Sequence, residues 1–350
     1  MTCKRIISRG GAEKMKETVN PQAKKKRKKY VSTGHLPPTE AVQTIVDEAY
    51  ARYKDNDEGQ NASHYPALAR VPRDLFGVCV INTHGEVMAA GDADYEFTIM
   101  SVSKPFTFGL VCEAIGAKEA RDKLGVNATG LPFNSIMAIE LNPSRLTNPM
   151  VNSGAIAAVT LVPGETAEAK WRFIHEGLSR FAGRTLNLND EVYASASATN
   201  HRNRAIARIM YDYGRLYFDP VEAADIYTRQ CSLNVTARDL AIMATTLANG
   251  GINPVTGEQV LDAAHCRRVL AVMTTAGMYE TTGDWEFDVG LPGKSGVSGG
   301  IITVSPGKGG MGVFAPPLDS AGNSVKGQLV ARFLSDYLGM NVFASAPESQ

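Results

Sequence analysis

Ser101-Val102-Ser103-Lys104 sets a hydroxyl and an amine three positions apart, just ahead of the apolar run at 105–115. Three residues are about one helical turn, so both side chains can project from one face. A serine hydroxyl is a poor nucleophile at neutral pH. A lysine whose ammonium is disfavoured by burial can accept its proton and activate it. The chemistry open to such a pair is acyl transfer. Pro105 biases Lys104 away from helical geometry. Proline is nevertheless tolerated in a first turn, where its missing N–H costs little, and the expectation is a helix.

Spacing alone is weak evidence, because Ser-x-x-Lys occurs again at Ser305 to Lys308, where Pro306 and Gly307 mark a turn. What distinguishes the first match is Lys294-Ser295-Gly296, in a Gly-rich stretch leading to the strand-like run 301–304. A Ser-x-x-Lys on a helix facing a Lys-Ser/Thr-Gly on a strand is the serine acyl-transfer pattern of β-lactamases and penicillin-binding enzymes.

The elements that must position these motifs can be sketched from patterning. A helix runs from Thr39, as its cap, to about Tyr53, with Ala41, Ile45, Val46 and Ala49 as its apolar stripe. Residues 77–81 and 86–90 flank a turn and read as a β-hairpin. From 101 to about 276 the chain is mostly helical. Thr236 and Asp239 open one helix as a capping box, and Gly250-Gly251 close it. Strands return at 301–304 and 312–314, followed by a last helix over 324–337. Strands at both ends with helices between imply a sheet assembled from both ends beside a helical lobe.

Composition narrows the function classes. The chain has 350 residues, and no apolar run is long enough to span a membrane. Five scattered cysteines and six histidines show no metal-ligand spacing, so zinc is not expected. Residues 1–30 hold 11 Lys/Arg and 2 Asp/Glu, a charge of +9 against −9 for the remainder. The run Lys24-Lys25-Lys26-Arg27-Lys28-Lys29 reads as a disordered basic extension over 1–36. A nuclear-type signal, an anionic-surface anchor and a solvated tail are all open for it. The mildly acidic body has no sign of a nucleic-acid groove. With no apolar signal core at the N-terminus, a cytoplasmic product is expected.

With these segments in view, the chain resembles the serine-dependent glutaminases, over residues 37–338. The resemblance is carried by Ser63-His-Tyr-Pro-Ala-Leu-Ala69, Ser101-Val-Ser-Lys104, Asn148-Pro-Met-Val-Asn-Ser-Gly-Ala155 and Arg202-Asn203. Leu247-Ala-Asn-Gly-Gly251, Thr256-Gly-Glu258, Gly277-Met-Tyr279 and Gly290-Leu-Pro-Gly-Lys-Ser-Gly-Val-Ser-Gly-Gly300 extend it. The resemblance implies a β-lactamase/transpeptidase-like α/β (α+β) fold, with a mixed, mostly antiparallel sheet. It implies a catalytic domain over 37–340, a flexible tail after it, and a homo-oligomer, dimer or tetramer. It also implies hydrolysis of L-glutamine to L-glutamate and ammonia without metal or organic cofactor.

By resemblance Ser101 is the nucleophile, Lys104 its proton acceptor and Tyr279 a proton shuttle to the leaving group. The oxyanion would sit between the backbone N–H groups of Ser101 and Val297. Tyr65, Asn152, Asn203 and Tyr227 are implied to bind substrate together with Ser101, Tyr279 and Val297. Lys294 has two open roles: lowering the proton affinity of Lys104, or pinning its strand.

One position departs. Where the family has a glutamate that receives the substrate's α-ammonium, this chain has Ala196, in Tyr193-Ala194-Ser195-Ala196. Losing a charge-assisted bond costs about 1.5–3 kcal/mol, or roughly 10- to 150-fold in affinity. Asp190 or Glu191 could reach in, glutamine could bind weakly, or the substrate could lack a free α-amine. The alternatives to a glutaminase are another serine acyl-transfer enzyme, acting on lactams or peptides, and a binding protein that has lost turnover.

Overall fold

The computed structural model describes residues 34–63 and 65–344, so the basic run at 24–29 and His64 lie outside the described residues. Strands β1 (Gly77–Asn82) and β2 (Val87–Gly91) form the expected hairpin. The two-residue strands β3 (Phe97–Thr98) and β4 (Asn234–Val235) pair with each other, apart from the main sheet. β5 (Gly293–Ser295), β6 (Gly300–Ser305) and β7 (Gly309–Phe314) complete a five-stranded sheet, ordered β2-β1-β7-β6-β5. Every pairing in it is antiparallel.

Side chains alternate across this sheet and divide its two faces. Val78, Val80, Met311 and Val313 turn to a core shared with the helices Thr39–Tyr53 and Val325–Leu338. Cys79 and Ile81 turn the other way, onto helix Ala237–Ala248. On that face β7 carries Gly310 and Gly312, and a Cβ at these positions would fall 2.5 Å from Ala244 Cβ and 2.1 Å from Ala237 O. Bare backbone there lets the helix lie directly on the sheet.

Helix Ala237–Ala248 starts with the capping box read from the sequence. Thr236 Oγ1 accepts the Asp239 N–H at 3.0 Å, and Asp239 Oδ2 accepts the Thr236 N–H at 2.8 Å. Thr39 behaves differently from expectation. Pro38 occupies the cap position, and the Thr39 hydroxyl donates to Glu86 of the hairpin at 2.9 Å. The buried stripe of this helix is Val42, Ile45, Val46 and Ala49. Val42 takes the place expected of Ala41, because 42, 45, 46 and 49 follow the i, i+3, i+4, i+7 spacing of a single helix face.

Between the two groups of strands, residues 104–276 make a helical lobe around Phe106, Ile156, Leu178, Phe181 and Ile206. The second Ser-x-x-Lys serves the fold: Ser305 Oγ and Lys308 Nζ donate to the carbonyls of Met340 and Gly339, at 2.9 and 2.7 Å. Cys79, Cys112, Cys231 and Cys266 are free and buried. Among the described residues no helix is long and apolar enough to cross a membrane.

Candidate active site

A 3₁₀ turn, Met100–Ser103, leads straight into the helix Lys104–Ile115. The Lys104 N–H closes on Ser101 O, placing the two residues on successive steps of one turn, with Pro105 inside the first turn. Ser103 locks this turn, its hydroxyl donating to Met100 O at 2.7 Å and accepting from Gln230 Nε2 at 2.8 Å. Met100, immediately before Ser101, has φ 45°. A left-handed non-glycine residue costs about 1–3 kcal/mol and persists only where its surroundings over-determine it.

Lys104 is fully buried and lies at the N-terminal end of the helix Asn152–Leu161. Its Nζ donates to Asn152 Oδ1 at 2.7 Å and to Met150 O at 3.3 Å. Among the described residues no carboxylate lies within ion-pair distance of it. Burial pulls its pKa down from the usual lysine range to about 7. Asn152 ties in two more predicted residues: its Nδ2 donates to Asn203 Oδ1 at 2.8 Å, and its Oδ1 also accepts from Tyr227 OH at 3.2 Å. Burial holds the Tyr227 phenol well above its ordinary range, so it stays a neutral donor.

Tyr279 arrives from the other side, on strand β5's flank. It is held at φ 58°, and two residues earlier Gly277 lets this segment close on β5, since a Cβ there would lie 1.9 Å from Gly293 O. Its hydroxyl donates to Ser295 O at 3.1 Å. Burial raises its pKa. Lys294, on β5, donates to the same Ser295 carbonyl at 2.6 Å, with Nζ 4.4 Å from the Tyr279 ring centre. Burial first, and then the Lys104 charge, push the Lys294 pKa well below the lysine range.

Phe133, absent from the sequence reading, packs its ring 4.6 Å from that of Tyr279 and 5.9 Å from Lys104 Nζ. Its carbonyl accepts the Asn152 N–H at 2.8 Å. Nothing in Gly-Leu-Pro-Phe-Asn signals this role by type or spacing. A cavity of about 640 Å³ opens at this point, lined by segments 59–63 and 318–322 with Phe133, Asn134 and Val297. A Cβ placed on Gly322, in the cavity wall, would touch the Tyr279 ring and Val297 at 3.6 and 3.7 Å.

Tyr65 starts the short helix Pro66–Ala69 and packs against the lobe core; burial raises its pKa. That helix meets Asp190–Thr199, where the Ala67 N–H donates to Ser195 Oγ at 3.4 Å. Ala196 is buried on this second helix. Neither acidic neighbour replaces a carboxylate at 196: Asp190 and Glu191 are exposed in the helix's first turn, and Glu191 pairs with Arg70. Among the described residues no group of three or more His, Cys, Asp and Glu side chains converges to hold a metal.

The structure therefore brings Lys104, Asn152, Asn203 and Tyr227 into one hydrogen-bonded set, with Ser101 one turn before Lys104 and the Phe133 ring packed on Tyr279 and facing Lys104; Val297 lines the adjoining cavity and Tyr65 lies near Tyr227. Comparison with known proteins matches the glutaminase family model to residues 59–343. "Glutaminase 2" of Yersinia pestis is 63% identical over 321 residues, covering 92% of this chain and 94% of that protein. A glutaminase of Brucella canis is 48% identical, covering 88% and 97%. Among solved structures, the probable glutaminase ybaS superposes with a TM-score of 0.86 at 45% identity, over 88% of this chain and 99% of that one. A probable glutaminase from Bacillus subtilis, complexed with 6-diazo-5-oxo-L-norleucine, gives 0.77 at 30% identity over 90% and 99%. The fold is the β-lactamase-like one of these enzymes, and the chain belongs to the glutaminase family.

Proposed function

We propose that this protein is a serine-dependent glutaminase, hydrolysing L-glutamine to L-glutamate and ammonia through a γ-glutamyl ester on Ser101. The observation that carries the mechanism is Lys104: a buried amine near neutrality, bonded to an amide and a carbonyl oxygen, one turn from the serine. An uncharged amine there can take the Ser101 proton as Oγ attacks the side-chain amide carbon. The oxyanion is received between the N–H groups of Ser101 and Val297. Tyr279, whose hydroxyl bonds the Ser295 carbonyl beside the site, passes a proton to the departing ammonia and is replenished from Lys104. Water then attacks the ester and gives a proton to Lys104, which passes it to the departing Ser101 Oγ, releasing glutamate with the serine and the neutral amine restored.

In this reading the neutral donors and acceptors of Tyr65, Asn152, Asn203 and Tyr227 orient the substrate, and the catalytic unit spans residues 37–340. Lys294, over the Tyr279 ring and bonded to the carbonyl that Tyr279 also uses, orders the tyrosine. The reading includes a homo-oligomer, which sedimentation tests. It also includes a cytoplasmic setting, in keeping with four free, buried cysteines. Ammonia release from glutamine, abolished by S101A, is the expected result; no release by either protein would favour a binding protein instead. Ala196 marks a weakened grip on the α-ammonium. A196E is expected to lower KM for glutamine about tenfold, and unchanged turnover in that variant would remove the hypothesis.

A further inference from the structure

The turn that carries Ser101 is gripped by one stretch of chain far away in sequence. Phe97 and Thr98 pair with Val235 and Asn234, the Ile99 N–H donates to Leu233 O at 2.8 Å, and Gln230 Nε2 donates to Ser103 Oγ at 2.8 Å. Bare backbone also closes on this turn: a Cβ on Gly296 would lie 3.1 Å from Ile99 O and 3.4 Å from Met100 Cβ. Met100, at φ 45°, needs such a hold, and its carbonyl is held by the Ser103 hydroxyl at 2.7 Å. That bond fixes the direction of the next one. Ser103 has a single proton, given to Met100 O, so Gln230 must present its N–H to the serine oxygen. Gln230 is fully buried on the helix Pro220–Cys231, and its Oε1 has no hydrogen-bond partner among the described residues. An apolar side chain of the same length would avoid that penalty, so stability alone does not account for an amide here. One turn earlier on the same helix Tyr227 donates to Asn152 Oδ1, the atom that also takes Lys104 Nζ. A single helix thus holds the turn of the nucleophile through Gln230 and the partner of the base through Tyr227.

We infer that Gln230 is a positioning residue for Ser101: through Ser103 it holds the Met100 carbonyl, and so the left-handed turn that presents the nucleophile to the amine of Lys104. The inference rests on the glutaminase reading. The test is ammonia release from L-glutamine by the full chain, with inhibition by L-glutamate and thermal unfolding measured on the same proteins. Gln230→Met keeps the length and the burial and removes the N–H. It is expected to lower kcat about tenfold, with KM and the inhibition constant for glutamate within about twofold and the unfolding midpoint unchanged or raised. Ser103→Ala is expected to lower kcat at least as far. Adding Q230M to it should lower kcat no further, because the amide then has no hydroxyl to hold. Unchanged kcat in Q230M, a loss that appears in KM instead, or losses that multiply in the double variant overturn the inference. So does a kcat loss no larger than the unfolded fraction accounts for. A wild-type protein that releases no ammonia removes the glutaminase reading and this inference together, whereas an active wild type with an unaffected Q230M removes the inference alone. Should Q230M not fold, Ser103→Ala decides: kcat lowered at constant KM supports the hold on Met100, and unchanged kcat contradicts it.

Discussion

The two ends of the helix Asn152–Leu161 each face a buried lysine whose pKa burial lowers, but they present it with opposite poles of the helix dipole. At the C-terminal end Lys170 Nζ donates to Thr160 O and Val162 O, at 3.0 and 2.7 Å, where unpaired carbonyls and the helix dipole both favour an ammonium. At the N-terminal end Lys104 meets the positive pole of the same dipole, bonded to Met150 O and the Asn152 amide. Lys308 and Lys326 repeat the first arrangement, on the C-terminal carbonyls Gly339 O and Lys54 O of two other helices. Burying lysine is therefore ordinary in this fold. Burying it at the wrong pole is confined to the site, and there it favours a neutral base.

Removing each amine should separate the two cases most strongly. Lys104→Met is expected to lower kcat at least a thousandfold while raising stability by about 1–3 kcal/mol at pH 7.5, the relief of the buried amine outweighing the bonds lost by Met150 O and Asn152 Oδ1. The sign follows from the pKa: Lys104 sits near 7 when folded against 10.5 ordinarily, so its burial costs stability increasingly as pH falls from 10.5 to about 7, and constantly below. Lys170→Met should do the reverse, losing about 2–3 kcal/mol by leaving two carbonyls unpaired, with kcat within about twofold. Thermal unfolding and ammonia release read both.

A sharper variant changes the pole's chemistry without deleting the amine. Asn152→Asp gives Lys104 a carboxylate partner and should move the acid limb of kcat/KM alkaline from about 7 by about 1–2 pH units. A pH–rate profile whose limb stays in place would break the link between that limb and Lys104. The smallest effect is expected from Phe133→Leu, which keeps the burial and loses the ring packed on Tyr279. Here kcat should fall about threefold with the limb unmoved, measured in the same profile.

What could be read from residues alone follows the same division between local and distant contacts. The Thr236–Asp239 box, the hairpin and the Ser101–Lys104 turn are decided within a few residues, and each stands in the structure as expected. Family motifs named Asn152 and Asn203, but not that Asn152 is the acceptor that fixes Lys104, 48 positions away. Phe133 reaches the site through a loop whose composition carries no periodicity, so no pattern announced it. Thr39 looked like a cap because caps are local; its bond to Glu86, 47 residues on, depends on how the helix docks.

The account rests on an unprotonated Lys104, and lysine side-chain NMR titration of protein carrying ¹³Cε and ¹⁵Nζ labels observes it directly. The account predicts a resonance that titrates near pH 7 and is missing from Lys104→Met. A Lys104 signal that remains an ammonium up to pH 10 would contradict it.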